Sequence, residues 1–264
     1  MTASARIAAE PGRHDHARKP LLVLVHGYLG GAAQWSGEIA ALSDRFDLFA
    51  PALPGFGDAA GAPPLTSIAD FAAHVLDQID ARGAERFILL GHSMGGMIAQ
   101  DMARRAPERV ERLVLYGTGP LGAMPDRFEP LAVSLERLRR EGVARTAGRI
   151  AATWFVDGDS APGFALVRDI AARASTDAAM AALLAMAEWD GRANLGRITA
   201  PTLILWGEKD RSYRWPQVET LWTGLPNGSL AVVPGASHAV HLEKPAIFRA
   251  LLDDFIGAGA LAPG

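Results

Sequence analysis

Six short apolar runs dominate the folding options of this chain: Leu21–Val25, Phe46–Leu53, Phe87–Leu90, Leu113–Tyr116, Thr202–Trp206 and Leu230–Val233. Their hydrophobicity is continuous rather than alternating, and most are flanked by Gly or Pro. A strand that is apolar at every position has to be buried on both faces. Stretches with a helical period lie between them, at Gln34–Ser43, Ser67–Arg82, Met94–Ala106, Trp215–Leu225 and Pro245–Ile256. Strands alternating with helices predict an α/β fold with a mostly parallel, doubly wound sheet. At 49% hydrophobic and 21% charged over 264 residues, the chain has enough apolar material for such a core and is unlike a disordered one.

One gap breaks the rhythm. About 85 residues separate Tyr116 from Thr202, far more than one crossover helix needs. The periodicity predicts four helices there, at Pro130–Glu141, Val143–Phe155, Phe164–Ala174 and Thr176–Glu188. The expected organisation is a sheet core made of residues 1–118 and 199–264, with residues 119–198 inserted as a helical cap over one end of the sheet. From Gly119 to Ile198 there are 10 Arg and 10 acidic residues. That zero net charge points to an uncharged, apolar or aromatic small-molecule substrate. Residues 1–20 are expected to be loosely structured.

Lys plus Arg is 26 and Asp plus Glu is 29, for a net charge of −3. Neither nucleic acid nor an anionic membrane is an expected partner. There is no Cys, so thiolate nucleophiles and sulfur-ligated zinc are excluded. No apolar run reaches the roughly 18 residues of a membrane span, and the first twenty residues lack the apolar core of a secretory signal. The expected location is the cytoplasm.

The most informative pentapeptide is Gly91-His92-Ser93-Met94-Gly95. It follows the run Phe87–Leu90 and opens a helical pattern that stops near Pro107. By chance alone, G-x-S-x-G arises in roughly one chain in ten, but a strand before it and a helix after it make the setting of a nucleophile elbow. The turn strains the serine backbone, so the residues two positions away must lack side chains. A serine hydroxyl needs a base to take its proton. His14 and His16 lie in the polar N-terminal segment, His74 lies in an amphipathic helix pattern, and His92 sits inside the elbow. His238 and His241 both follow the last apolar run, His238 being nearer its end. A carboxylate must orient the imidazole, and Asp210 follows the run Thr202–Trp206, two residues after Glu208. Ser93, Asp210 and His238 fall in the order Ser…Asp…His, each after the carboxyl end of a strand. Two backbone N–H groups could serve an oxyanion. One is that of Met94; the other is that of Tyr28, in the Gly-rich loop His26-Gly27-Tyr28-Leu29-Gly30-Gly31. No nucleotide-binding glycine motif is present.

With these residues in view, the chain resembles the α/β-hydrolase family, in its branch with a helical cap. The resemblance runs through LVHGYLG, APALPGFGDA, LLGHSMGGMIAQ, ARRAPERVERLVLYGTGP, ITAPTLILWGEKD and VVPGASHAVHLEKP. In that family the active His is followed by four residues, a Glu, one residue and a Pro. Here these are His238, Glu243 and Pro245, which implies His238 rather than His241 as the base. A serine at position 93 separates the chain from relatives with an Asp nucleophile. GHSMGGMIAQ resembles enol-lactone hydrolases and small carboxylesterases. HGYLG and Trp35 are similar to the menaquinone-pathway synthase of this fold, which usually carries an Arg where Met97 stands. WGEKDR is similar to carbon–carbon hydrolases of aromatic degradation, which often have Asn at the position of His92 and Trp at that of Ala239.

The resemblance implies a serine hydrolase of a carboxylic ester or lactone, with no metal or cofactor. Two alternatives remain: a carbon–carbon hydrolase or lyase on the same triad, and a ligand receptor or scaffold with little turnover. Phe128, Trp154, Phe155, Met180, Met186 and Trp189 are the expected apolar lining of the substrate pocket.

Overall fold

A computed structural model describes residues 19–123 and 129–257. Six strands form one sheet: β1 Leu21–Val25, β2 Asp47–Phe49, β3 Phe87–His92, β4 Val110–Tyr116, β5 Thr202–Gly207 and β6 Gly228–Val233. Every pairing is parallel, and the order is β2-β1-β3-β4-β5-β6. The order in which strands are added reverses between β1 and β3, so the crossovers put helices on both faces.

Double-sided burial accounts for the continuous apolar runs. Within β1, Leu21, Val23 and Val25 join one core cluster and Leu22 and Leu24 join the other. The first cluster packs under α2 (Ile68–Ala81) and α3 (Met94–Arg105). The second packs under α1 (Ser36–Leu42) and, in the C-terminal segment, Phe248, Leu252 and Ile256. Successive strand residues point to opposite faces, so each layer needs every second residue apolar and the two requirements add to an unbroken run.

Two runs depart from expectation. The run Phe46–Leu53 gives only the three-residue strand β2. Pro51 has no N–H to offer a ladder, and the chain leaves the sheet edge just before it. The run Leu113–Tyr116 is longer as a strand than as an apolar stretch, because β4 starts at Val110 and carries Glu111 and Arg112. A register shift opposite Phe87 and Ile88 accommodates the extra residue. The helix expected from Gln34 is split between a short 3-10 turn, Ala32–Trp35, and α1.

Between β4 and β5 lie α4 (Leu131–Glu141), α5 (Val143–Ala152), α6 (Phe164–Ala172) and α7 (Thr176–Glu188). The two ends of this insertion meet: the Gly122 N–H donates to the Trp189 carbonyl (3.0 Å) and the Gly191 N–H to the Pro120 carbonyl (2.8 Å). A third tie joins it to the core, where the Ala239 N–H donates to the carbonyl of Trp154 (3.0 Å). Helices α8 (Trp215–Gly224), α9 (Val240–Glu243) and α10 (Pro245–Gly257) follow among the described residues. No single helix among the described residues is long and apolar enough to cross a membrane.

The turn from β3 into α3 is sterically saturated. A side chain on Gly95 would run into the carbonyls of Val25 and His26, and one on Gly91 into the carbonyl of Gly95. Gly95→Ala should cost about 1–3 kcal/mol as overpacking, or roughly 2–4 °C in Tm for each kcal/mol. Gly61→Ala, where nothing lies within 4 Å of the added carbon, is the control and should leave Tm nearly unchanged. Equal melting temperatures for the two variants would contradict the packing described here.

Candidate active site

Ser93 lies between β3 and α3 with φ 56° and ψ −120°, a left-handed conformation rare outside glycine. Both sides of its backbone are held. The Ser93 N–H donates to the Tyr116 carbonyl (3.0 Å), and the Thr118 hydroxyl donates to the Ser93 carbonyl (2.7 Å). The N–H of Met94, first in α3, has no acceptor within its own helix and lies at the positive end of the helix dipole.

His238 and Asp210 reach the same end of the sheet from the loops after β6 and β5. The His238 Nδ1–H donates to Asp210 Oδ2 at 2.9 Å, with both side chains almost fully buried. The other oxygen, Oδ1, accepts from the N–H groups of Ser212 (2.7 Å) and Tyr213 (3.2 Å). With Nδ1 protonated, His238 keeps the lone pair of Nε2 as its acceptor. Gly117 (φ 51°) lies directly beside this pair: an added carbon there would stand 3.2 Å from His238 Nδ1 and 3.5 Å from Asp210 Oδ2. Glu208 instead faces solvent and accepts from the Gly235 N–H (3.0 Å), an anion-favouring bond that draws its pKa down.

The loop after β1 is organised by His26. The Leu53 N–H donates to His26 Nε2 (3.2 Å), which places the ring proton on Nδ1, and that N–H donates to the Gly27 carbonyl (2.9 Å). The same carbonyl accepts from the Gly30 N–H (3.0 Å). Gly27 C=O and Tyr28 N–H belong to one planar trans peptide, so fixing the carbonyl directs the Tyr28 N–H the opposite way. Gly27 packs so close to the elbow that a β-carbon on it would stand 2.8 Å from Ser93 Cβ. No sequence motif assigns His26 this role. Its place at the end of β1, before a glycine loop, was the available signal.

A second histidine, His92, also ties elements together. His92 adjoins Ser93 in the chain, yet its Nε2–H donates to the main-chain carbonyl of His238 (3.2 Å). The Tyr116 hydroxyl donates to the same carbonyl (2.9 Å). Tyr116 Oη in turn lies 2.9 Å from His241 Nδ1 and accepts from the His241 N–H (3.2 Å). Glu243 ties the loop on its other side, accepting from the N–H of Ser237 (2.6 Å) and from that of Val156 in the helical insertion (2.7 Å). The carbonyl of His238 is thereby bound to the elbow strand, and the chain before it to the insertion.

Ser93 and His238 line one cavity of about 70 Å³ together with Tyr28, Ser212 and Tyr213 from the core. The insertion contributes Leu138, Ile150, Trp154, Leu183 and Met186 as apolar wall, and Glu129, Ser134, Thr146, Arg149 and Thr153 as polar wall. Of the expected pocket residues, Trp154 and Met186 are there. Phe155 is fully buried in a separate cluster with Ala151, Ala161, Val167 and Ala239. Met180 and Trp189 pack against the main core instead. Phe128, like His14 and His16, lies outside the described residues. Among the described residues, no three of His, Asp and Glu converge as a metal site.

A sequence profile of the alpha/beta hydrolase family matches residues 22–251, and the chain belongs to that family. It is 29% identical over 252 residues to a putative carbamate hydrolase, RutD, of Pseudomonas savastanoi, covering 93% of this chain and 97% of that one. It is 31% identical to the 2-succinyl-6-hydroxy-2,4-cyclohexadiene-1-carboxylate synthase of Serratia proteamaculans (95% and 98% covered). It is also 31% identical to the pimeloyl-[acyl-carrier protein] methyl ester esterase of Edwardsiella ictaluri (90% and 94% covered). The fold matches that of the enol-lactonase from Burkholderia xenovorans with a TM-score of 0.83, at 24% identity, over 92% of this chain and 93% of that one.

The buried histidines give the site a pH signature. Burial lowers His26 to about 4 and His241 to about 3, from 6.5. Burial, with His238 and His241 close by, also holds His92 well below its ordinary value. A histidine whose folded pKa is lowered stabilises the fold above pH 6.5. That contribution is lost as pH falls from 6.5 toward the folded value, because only the unfolded chain takes up the proton. At pH 5, above most carboxylate pKa values, His26 and His241 should each have cost about 2 kcal/mol. Urea unfolding at pH 7.5 and pH 5 should therefore show a fall of several kcal/mol. Unchanged or higher stability at pH 5 would contradict the buried neutral assignment.

Proposed function

We propose that this hydrolase-family protein cleaves a carboxylic ester or lactone of a small substrate by serine acyl transfer. Ser93 attacks the carbonyl while Nε2 of His238 takes its proton. Asp210 fixes the tautomer of His238 and stabilises the imidazolium. The N–H groups of Tyr28 and Met94 bind the oxyanion. The protonated His238 then returns its proton to the departing alkoxide, and water releases the acid by the same steps in reverse order of partners. The observation that carries this reading is the 2.9 Å contact of His238 Nδ1 with Asp210. It leaves Nε2 as a base in the cavity that Ser93 also lines.

Relatives named for a carbamate hydrolase and a methyl ester esterase support attack on an acyl carbonyl. The relative named as a synthase keeps the carbon–carbon reading in view. A carbon–carbon hydrolase must first move a proton onto carbon, which requires polar groups arranged to polarise an enolate. An ester needs only protonation of its alkoxide. Met97 and Ala239 are both buried and apolar here and supply no such group.

Short aryl esters or a lactone should be turned over with kcat/KM at least about tenfold above that of a vinylogous 1,5-diketone, a difference of about 1.4 kcal/mol in transition-state stabilisation. Both substrates are to be run on one preparation, with Ser93→Ala as the blank. Faster cleavage of the diketone would move the assignment to carbon–carbon bonds.

A further inference from the structure

The cavity wall carries charged side chains as well as Ser93 and His238. Helix α5 and the turn after it place Thr146, Arg149, Ile150 and Thr153 on the cavity wall, the spacing of a single helix face. Among the described residues, Arg149 is the cation of that wall and Glu129 its anion. Glu129 is nearly buried and already engaged: its Oε2 accepts from the Ser134 hydroxyl (2.8 Å) and its Oε1 from Arg137 Nη2 (2.9 Å). Arg149 Nη1 stands 4.0 Å from that same Oε1, beyond hydrogen-bond reach, with its side chain 42% exposed. Arg137 answers the charge of Glu129. Arg149 itself makes no hydrogen bond among the described residues, so its N–H donors remain open to the cavity.

A guanidinium presents five N–H donors in a fork that matches a carboxylate. Many half-exposed arginines simply face water. Arg149 differs in sharing a cavity with Ser93, His238 and apolar side chains such as Leu138, Ile150 and Met186. A single guanidinium, with a carboxylate close by, fits a monoanion better than a doubly charged phosphate.

We propose that Arg149 forms a subsite for a carboxylate carried by the substrate, separated by an apolar spacer from the carbonyl that Ser93 attacks. The proposal rests on the ester and lactone reading above and narrows it to ω-carboxy acyl substrates. It also replaces the uncharged substrate expected from the composition of the insertion. A zero net charge summed over residues 119–198 hides where the individual charges sit.

The test is a matched pair, p-nitrophenyl hydrogen adipate and its methyl ester, with p-nitrophenol release corrected for the enzyme-free rate. Wild-type kcat/KM should favour the free carboxylate by about tenfold or more. The ratio should fall close to one in Arg149→Gln, be intermediate in Arg149→Lys, and shrink in 1 M salt. A wild-type ratio of one or below, or an unchanged ratio in Arg149→Gln with a wild-type melting temperature, overturns the subsite. Calorimetric binding of adipate to wild type and Arg149→Gln separates the two readings. Arg149-dependent adipate binding without ester turnover keeps the subsite and removes the hydrolase reading. Ester turnover with a ratio of one and no adipate binding does the opposite.

Discussion

The contact between the β3 end and the first turn of α3 governs the rest of the site. Gly91 and Gly95 touch where any side chain would collide, and that closeness lets the chain reverse through Ser93 at φ 56°. A left-handed serine costs of order 1–3 kcal/mol and persists only where its surroundings over-determine it. Here they do: Tyr116 and Thr118 hold the two sides of the Ser93 backbone, and Gly96 lies against the Thr118 side chain. β3 sits between β1 and β4, so the turn is braced by the interior of the sheet rather than by an edge.

The elbow fixes more than its own serine. His92 carries the bond to the His238 carbonyl, and Tyr116, the last residue of the neighbouring strand, adds a second. The loop bearing the proposed base is thus tied to the strand bearing the proposed nucleophile. Glu243 and the Ala239–Trp154 bond then join that loop to the helical insertion. The result depends on neutral, directional histidines. His92 donates from Nε2, His26 donates from Nδ1, and burial keeps both uncharged. Charging either would place a cation beneath the site and disturb the bonds that orient it.

Much of this was legible in the sequence, for physical reasons. Two-sided burial imposes unbroken apolar runs, so Leu21–Val25 is a strand from end to end. The elbow needs two glycines at fixed spacing, and Thr176–Glu188 reads as a helix at both of its ends. What was not legible depended on neighbours distant in sequence. Helical spacing marks Phe155 and Met186 alike as inward-facing, but α5 ends at Ala152, and the packing of the turn after it and of α7 decides which meets a cavity and which fills a satellite core. His26 and His92 look alike in sequence. Their roles come from the carbonyls of Gly27 and His238 and the N–H of Leu53, none of which a motif records. The partition of charge among Glu129, Arg137 and Arg149 was invisible for the same reason.

The most direct test of the central claim is the rate at which a fluorophosphonate labels Ser93, read by intact mass and peptide mapping, in wild type, Asp210→Asn and Glu208→Gln. A serine activated through His238 and Asp210 should give one adduct, on Ser93. It should form more slowly by a factor on the order of 10⁴ in Asp210→Asn, by analogy with the loss seen when the triad carboxylate of a serine protease is neutralised. Glu208→Gln should label at close to the wild-type rate. An adduct elsewhere, or a rate in Asp210→Asn equal to that of wild type, would contradict the assignment of nucleophile and orienting acid.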